Sequence, residues 1–346
     1  MTPDFLSAIA QQLSKQLPFV VYRKPKASFI SAIFQADPKL NTIRDFSETG
    51  FVFAPFDADN PSYFIKTDTI LKDPTHYETA PIAYKKVENI DSEDKTSYIK
   101  LVQKAITETN KGTFEKVVLS RSIVFKCAVK PLEILQSLIH RYENALCYLW
   151  YHPKVGMWMG ATPEKLLHAE GNRLTTMSLA GTQKYNGENT PTWGEKERKE
   201  QQLVTEYIAA ALKEQVNNLE ISETETVRAG NLRHLRTKLS GTMNHNLASV
   251  IKVLHPTPAV CGMPLAATKK FVMENEGYER KFYTGYLGEL NFKKESDLFV
   301  NLRCMEFSGG FATIYVGGGI TKDSVPQNEW EETVAKSRTM LDVLLN

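Results

Sequence analysis

The chain has 346 residues, of which 42% are hydrophobic and 24% are charged, as is ordinary for a soluble globular protein. Because the formal net charge is only +2 and no Lys/Arg cluster is interleaved with aromatic residues, nucleic acid is not expected as a partner. No apolar run reaches about 18 residues, so no membrane span is expected.

The four cysteines, Cys127, Cys147, Cys261 and Cys304, have no C-x-x-C spacing. We interpret them as buried thiols in a reducing compartment, not as a disulfide framework or a zinc site. The first residues show an amphipathic helical pattern without the basic and long apolar regions of a signal peptide. A cytoplasmic location is therefore expected.

The first quarter of the chain is predicted to form one helix and several short strands. The helix spans residues 3–17, and the strands span residues 19–23, 29–34, 50–56 and 62–66. Residues 67–90 have a mixed pattern, and residues 94–109 are predicted to be helical. Since residues 1–94 carry no recognisable chemistry, we expect them to add strands to sheets completed by residues 95–346.

Residues 114–125 alternate as a strong β-strand, which places Lys116 on one face with Val118 and Ser120. A lysine on such a strand commonly sits at its exposed end. It can also project into a cavity and act as a base. The strand alone leaves both interpretations open.

A run of four strands is predicted next, at residues 145–152, 155–160, 165–170 and 173–179, and is interpreted as an antiparallel meander. Glu164 follows a proline between two of these strands, where it could be a surface turn residue. Residues 179–183 form a turn of small residues, where a ligand could approach the backbone.

Two predicted helices, residues 193–216 and 327–345, each carry a Glu-x-x-Glu pair. The pairs are Glu197 with Glu200 and Glu329 with Glu332, and Lys336 shares the face of the second pair. One such pair is common on a solvated helix. Two of them can present carboxylates towards one point, and few carboxylates with water and substrate oxygens suit Mg²⁺.

Three glycines, 317–319, follow a predicted strand at residues 312–316 and would let a substrate carboxylate approach main-chain N–H groups. The segment between the helices contains extended residues 224–240, helices at 246–254 and 265–275, and an irregular, proline-rich stretch at 255–264. Strands are predicted at residues 283–291, 298–307 and 311–316.

Eight motifs occur in a recognisable order. They are F-E-K-V-V-L-S-R, G-A-T-P-E, L-A-G-T, E-K-E-R-K-E, H-P-T-P-A-V-C-G-M-P, F-Y-T-G-Y-L-G, N-L-R-C and P-x-x-E-W-E-E-T-x-x-K. Over residues 95–346 the sequence resembles the chorismate-utilising enzymes, most closely the isochorismate synthases. The resemblance implies an α+β fold: a single large domain of antiparallel β-sheets with surrounding helices.

The resemblance also implies roles for individual residues. Lys116 would be the base that activates water at C2 of chorismate, and Glu164 would be the acid that protonates the departing C4 hydroxyl. Mg²⁺ would be held by Glu200 and Glu332, with Glu197 and Glu329 ordering its waters. The substrate-binding positions would be Gly181, Thr182, His255, Tyr283, Arg303, Gly318, Gly319 and Lys336.

A lysine at position 116 looks like the mark of the family members that use water as the nucleophile. Anthranilate synthases typically have Gln at that position. Ala180 replaces the lysine of aminodeoxychorismate synthases, and no amidotransferase segment or partner is expected. The alternative is a salicylate synthase, which also eliminates pyruvate with the same residues. A catalytically silent relative would have lost one of them. The resemblance suggests a monomer. One departure from the family pattern is Gln201, where many relatives have a histidine after the residue that matches Glu200.

Overall fold

The computed structural model describes residues 1–74, 92–126, 130–185, 191–229 and 232–344. The helices are α1 Pro3–Ser14, α2 Ser92–Asn110, α3 Pro131–Arg141, α4 Glu195–Leu212, α5 Leu247–Leu254, α6 Leu265–Asn275 and α7 Pro326–Leu344. The predictions for most of residues 67–90, for residue 345 and for Cys127 fall outside the described residues.

The strands are β1 Phe19–Arg23, β2 Phe29–Phe34, β3 Asn41–Thr42, β4 Gly50–Ala54, β5 Tyr63–Lys66, β6 Thr69–Pro74, β7 Lys116–Lys126, β8 Leu146–His152, β9 Gly156–Thr162, β10 Lys165–Glu170, β11 Arg173–Lys184, β12 Val216–Ile221, β13 Glu225–Ala229, β14 Leu232–Met243, β15 Gly262–Met263, β16 Tyr286–Phe292, β17 Glu295–Val300, β18 Cys304–Ser308 and β19 Phe311–Ile320. The pattern of alternating and apolar runs thus located most of them correctly.

The strands form two large antiparallel sheets. Sheet A has the order β15-β7-β19-β18-β9-β8-β1-β2-β6, and sheet B has the order β12-β14-β11-β10-β17-β16-β4-β5-β3, with β13 paired to β14. The predicted α+β fold of antiparallel sheets and surrounding helices is confirmed. Of the N-terminal strands, β1, β2 and β6 enter sheet A and β3 to β5 enter sheet B.

The predicted four-strand meander is wrong at its centre. Strands β8 and β9 pair in sheet A, whereas β10 and β11 pair in sheet B, so the chain changes sheets between Thr162 and Lys165. The strand predicted at residues 298–307 is likewise two strands, β17 in sheet B and β18 in sheet A. Both inner faces are buried, so the apolar pattern continues across each change of sheet.

Three other local predictions need correction. Helix α4 ends at Leu212, and residues 216–221 form strand β12 instead of continuing the helix. Helix α3 was not predicted. The strand predicted at residues 312–316 extends through the glycines 317–319, because β19 stays paired with β7 as far as Ile320 opposite Val117.

The space between the sheets is filled largely by aromatic side chains. Phe53 stacks on Phe282 at 4.2 Å between ring centroids, and Trp158 stacks on Tyr315 at 5.4 Å. Cys147, Cys261 and Cys304 are buried thiols, as the sequence predicts. None of the helices in the described residues is both long and apolar enough to span a membrane.

Candidate active site

A cavity of about 870 Å³ is lined by β7, β19, β11 and β14 together with helices α4 and α7. Thirteen of the fourteen predicted site residues lie on its wall. They are Lys116, Glu164, Gly181, Thr182, Glu197, Glu200, Tyr283, Arg303, Gly318, Gly319, Glu329, Glu332 and Lys336. Both Glu-x-x-Glu pairs therefore face one space, so the interpretation of a solvated helix face does not hold.

The exception is His255, which does not line the cavity. Its buried ring lies 3.0 Å from the carbonyl oxygen of Pro55 and packs edge-on against Tyr286. Burial lowers the pKa of His255 to about 4, so the ring is neutral at neutral pH. The structure corrects the prediction of substrate contact: His255 ties the proline-rich segment to the N-terminal part of the chain.

Lys116 is the first residue of β7, and its side chain is buried in the cavity wall. Its Nζ atom lies 2.7 Å from Oε1 of Glu200 on α4. Burial opposes ionisation of Glu200, but the charge and hydrogen bond of Lys116 outweigh it and hold the pKa of Glu200 below its usual value. The predicted base and a predicted metal ligand are therefore ion-paired.

Glu164 and Arg303 lie on the two segments where the chain passes between the sheets. The backbone N–H of Val300 donates to the carbonyl of Glu164 at 2.9 Å, and that of Ala161 donates to the carbonyl of Arg303 at 3.1 Å. Burial raises the pKa of the Glu164 carboxyl to about 7, against the opposing charges of Lys116 and Lys336. Glu164 can therefore carry a proton near neutral pH.

The carboxylates of α7 meet at the glycines of β19. A Cβ atom at Gly318 would lie 3.6 Å from Glu332 Oε1 and 3.7 Å from Glu329 Oε2. Lys336 Nζ lies 2.7 Å from Glu332 Oε1 and donates to the carbonyl of Gly317 at 3.0 Å. Burial raises the pKa of Glu329, and the charge of Glu332 adds to this. A further cation would offset the negative charge of Glu329 and Glu332.

Strand β11 bulges at Gly181, whose φ of +68° is the left-handed conformation that favours glycine. A Cβ there would lie 3.1 Å from the backbone oxygen of Glu197, so the bulge packs directly on α4. Gln201, buried one residue after Glu200, accepts a hydrogen bond from the N–H of Ala180 at 2.9 Å. Gln201 therefore joins the helix to the bulge.

Sequence reasoning missed His234, a buried residue of β14 that also lines the cavity. One ring nitrogen, Nδ1, lies 3.2 Å from the hydroxyl oxygen of Thr182. Burial lowers the pKa of His234 to about 3, and the charges of Arg303 and Lys336 contribute. A single histidine in an extended segment has no local signal that distinguishes it from a core residue.

The carboxylates are suited to a hard cation that needs few protein ligands. Among the residues that the structure describes, no three His, Cys, Asp or Glu side chains are close enough to surround a metal ion. Mg²⁺ commonly takes one or two carboxylates and completes its shell with water and substrate oxygens. The oxygens of Glu329 and Glu332 beside Gly318 fit that requirement, with Glu200 Oε1 at 3.5 Å from a Cβ at Gly319.

Comparison with known proteins identifies the family. Residues 61–345 match the family model described as chorismate binding enzyme. The chain belongs to this family. It is also 30% identical over 265 residues to the isochorismate synthase EntC of Escherichia coli, a match that covers 72% of this chain and 67% of the relative.

Solved structures of chorismate-binding enzymes share the fold. The menaquinone-specific isochorismate synthase MenF from Escherichia coli superimposes with a TM-score of 0.81 at 20% identity, over 94% of this chain and 88% of MenF. Anthranilate synthase component I from Streptococcus pneumoniae gives a TM-score of 0.71 at 17% identity, over 93% and 89% of the two chains. At these identities the likeness supports the fold alone.

Proposed function

We propose that this chorismate-binding enzyme is an isochorismate synthase that converts chorismate to isochorismate with the help of Mg²⁺. The observation that carries the proposal is the pairing of a lysine and a protonatable glutamate, Lys116 and Glu164, in the wall of one cavity. The relative EntC, an isochorismate synthase, supports the same reaction.

The proposed reaction needs one base and one acid. Lys116, once neutral, removes a proton from the water molecule whose oxygen bonds to C2 of the substrate. The ring double bond shifts, and the C4–O bond breaks as Glu164 donates its proton to the leaving hydroxyl, which departs as water. Lys116 ends protonated and Glu164 ionised, and proton exchange with solvent restores both.

Lys116 must also lose its contact with Glu200 before it can act as the base. Glu200 and Glu332 would hold Mg²⁺, which would supply positive charge to offset the charge of the substrate's ring carboxylate. Lys336 and Arg303 offer further positive charge at the cavity wall, and Gly318 keeps the wall open in front of Glu329. These groups would orient the dianionic substrate, and the Gly181 bulge would contact it through the main chain.

The test is to incubate the purified protein with chorismate and Mg²⁺ and to separate the products by chromatography. We expect isochorismate to accumulate and ammonium to remain unincorporated. Stoichiometric salicylate and pyruvate would assign the protein to the salicylate synthases. An aminated product would contradict the role given to Lys116, and unconsumed chorismate would contradict the proposal as a whole.

A further inference from the structure

We propose that Glu276 and Arg280 form a positioning pair that holds Lys116 and the neighbouring cavity wall in place. The inference rests on the proposed function, since it assigns Lys116 the role of the base. Neither member of the pair lines the cavity. Arg280 bonds residues that do, and Glu276 bonds Arg280 and Ser120 of β7.

Only 2% of the Arg280 side chain and 1% of the Glu276 side chain are exposed. Among the described residues, this is the most completely buried of the ion pairs. Arg280 Nε donates to Glu276 Oε2 at 2.7 Å, and Nη2 donates to Oε1 at 2.5 Å. A buried ion pair is often no better for stability than apolar residues of the same volume. Stability alone therefore does not explain why Arg280 and Glu276 also make hydrogen bonds to other residues.

Arg280 connects three separate parts of the cavity wall. Its Nη2 donates to the carbonyl of Val118 at 2.7 Å, and its Nη1 donates to the carbonyl of Val260 at 2.9 Å and to Thr284 Oγ1 at 3.3 Å. Val118, Val260 and Thr284 all line the cavity. One rigid guanidinium thus fixes the distances between three wall segments that are remote in sequence.

Beyond the end of β15, side chains of Glu276 and Arg280 make the hydrogen bonds that a neighbouring strand would make to this edge of β7. Strand β15 pairs with β7 at Lys116 and Val117, and the N–H of Val118 donates to the carbonyl of Cys261 at 2.9 Å. Directly beyond, the carbonyl of Val118 is bonded by Arg280, and the N–H and hydroxyl of Ser120 donate to Glu276 Oε1 at 2.7 and 2.9 Å. From the carbonyl of Val118 to Ser120, the backbone is therefore held on this side by side chains.

The other side of β7 pairs with β19, where Val118 lies opposite Gly319. Residues 118–120, directly after Lys116, are thus held between the β19 ladder and the side-chain pair. Displacing a reacting group by about 1 Å can cost about 10²-fold in rate. Loosening the pair should therefore reduce turnover more than it reduces substrate binding.

The experiment compares Arg280→Lys with the control Ile65→Val. The lysine keeps a positive charge for Glu276, but a single ammonium cannot reproduce the forked contacts of the guanidinium. The control removes one methyl group from a fully buried residue of β5 that does not line the cavity. We measure kcat and KM for chorismate, the thermal midpoint, and hydrogen exchange of residues 114–122.

We expect Arg280→Lys to lower kcat by about 10- to 100-fold, to change KM by less than about threefold, and to speed exchange in residues 114–122. Ile65→Val should leave kcat and that exchange unchanged. Wild-type kcat and exchange in Arg280→Lys would overturn the inference, as would an equal loss of kcat in the control.

Failure of the proposed function gives a different result. A wild-type protein that makes no isochorismate would remove the role of Lys116, whereas the exchange of residues 114–122 would still show whether the pair holds β7. If Arg280→Lys does not fold, Ser120→Ala removes the hydroxyl contacts to Glu276 and to the hydroxyl of Tyr278 and keeps the backbone N–H contact to Glu276. We expect it to lower kcat by about threefold with unchanged KM, and wild-type kcat and exchange in this variant would overturn the inference.

Discussion

Gly319 leaves open the space that the Lys116 side chain occupies: a Cβ atom at position 319 would lie 2.7 Å from Lys116 Cε. The adjacent Gly318 differs, because its nearest neighbours, the carboxylates of Glu332 and Glu329, would be at ordinary contact distance. Gly319 therefore leaves room for the Lys116 side chain, and Gly318 leaves room in front of the two carboxylates.

We expect Gly319→Ala to fold and to lower kcat by at least about tenfold, because the lysine has to move aside. Gly318→Ala is the matched neighbour and should chiefly raise KM, since its methyl group points at Glu332 and Glu329, which are proposed to hold the metal and to order its waters. Steady-state kinetics of both variants decide this. Equal effects on kcat would show that position 319 has no special relation to Lys116.

The acid and base are tested by isosteric replacement. Lys116→Gln and Glu164→Gln should each lower kcat by about 10²–10⁴-fold, the usual contribution of such groups, while the far-ultraviolet circular dichroism stays unchanged. Gln215, which lies outside the cavity wall, offers a control in Gln215→Glu. Near-normal hydration of chorismate by Lys116→Gln would place the base elsewhere.

The pKa of about 7 for Glu164 predicts a pH dependence of turnover. A general acid must be protonated, so kcat should fall as pH rises through about 7. Glu164→Gln should lose this dependence together with most of its activity. A wild-type profile of kcat that stays flat from pH 6 to pH 8 would contradict the assignment of Glu164 as the acid.

Stability should depend on the same carboxyl. Its pKa is higher in the folded protein than the ordinary 4.5, so the folded state binds more protons between pH 4.5 and 7. The free energy of unfolding therefore falls as pH rises through that window, by up to about 3 kcal/mol. Glu164→Gln cannot ionise, so in urea titrations its stability relative to wild type should increase from pH 5 to pH 8. A pH-independent difference would contradict the raised pKa.

Metal dependence follows from the carboxylates of α4 and α7. Chelation should abolish turnover, and added Mg²⁺ should restore it. Glu200→Gln and Glu332→Gln should each raise the Mg²⁺ concentration needed for half-maximal activity by at least about tenfold, because each removes one charged ligand. Glu331→Gln, on the exposed side of α7, is the control. Full activity after exhaustive chelation would exclude the metal from the reaction.

Gln201 provides a test outside the reacting groups. Gln201→Leu would leave the buried N–H of Ala180 without its acceptor, at a cost of about 1–3 kcal/mol. Urea unfolding should show this loss. Gln202→Leu, one residue along and exposed, should change stability by less than about 0.5 kcal/mol.

Sequence spacing by itself determined much of this site. The three-residue interval in Glu197/Glu200 and Glu329/Glu332 places each pair on one helical face, because helical geometry depends only on the local backbone. The alternation around Lys116 located β7 for the same reason. The ordered motifs indicated the family, and hence that these local features belong to one site.

Only the tertiary structure decided how those features meet. Lys116 and Glu200 are 84 residues apart in sequence, and no local pattern encodes their 2.7 Å contact. The changes of sheet before Lys165 and before Cys304 depend on distant strand partners, so the apolar pattern does not reveal them. His255 lies outside the cavity, whereas His234, which was not predicted, lines it. Packing between the sheets sets the burial and orientation of such side chains, and residue type and local spacing do not specify that packing.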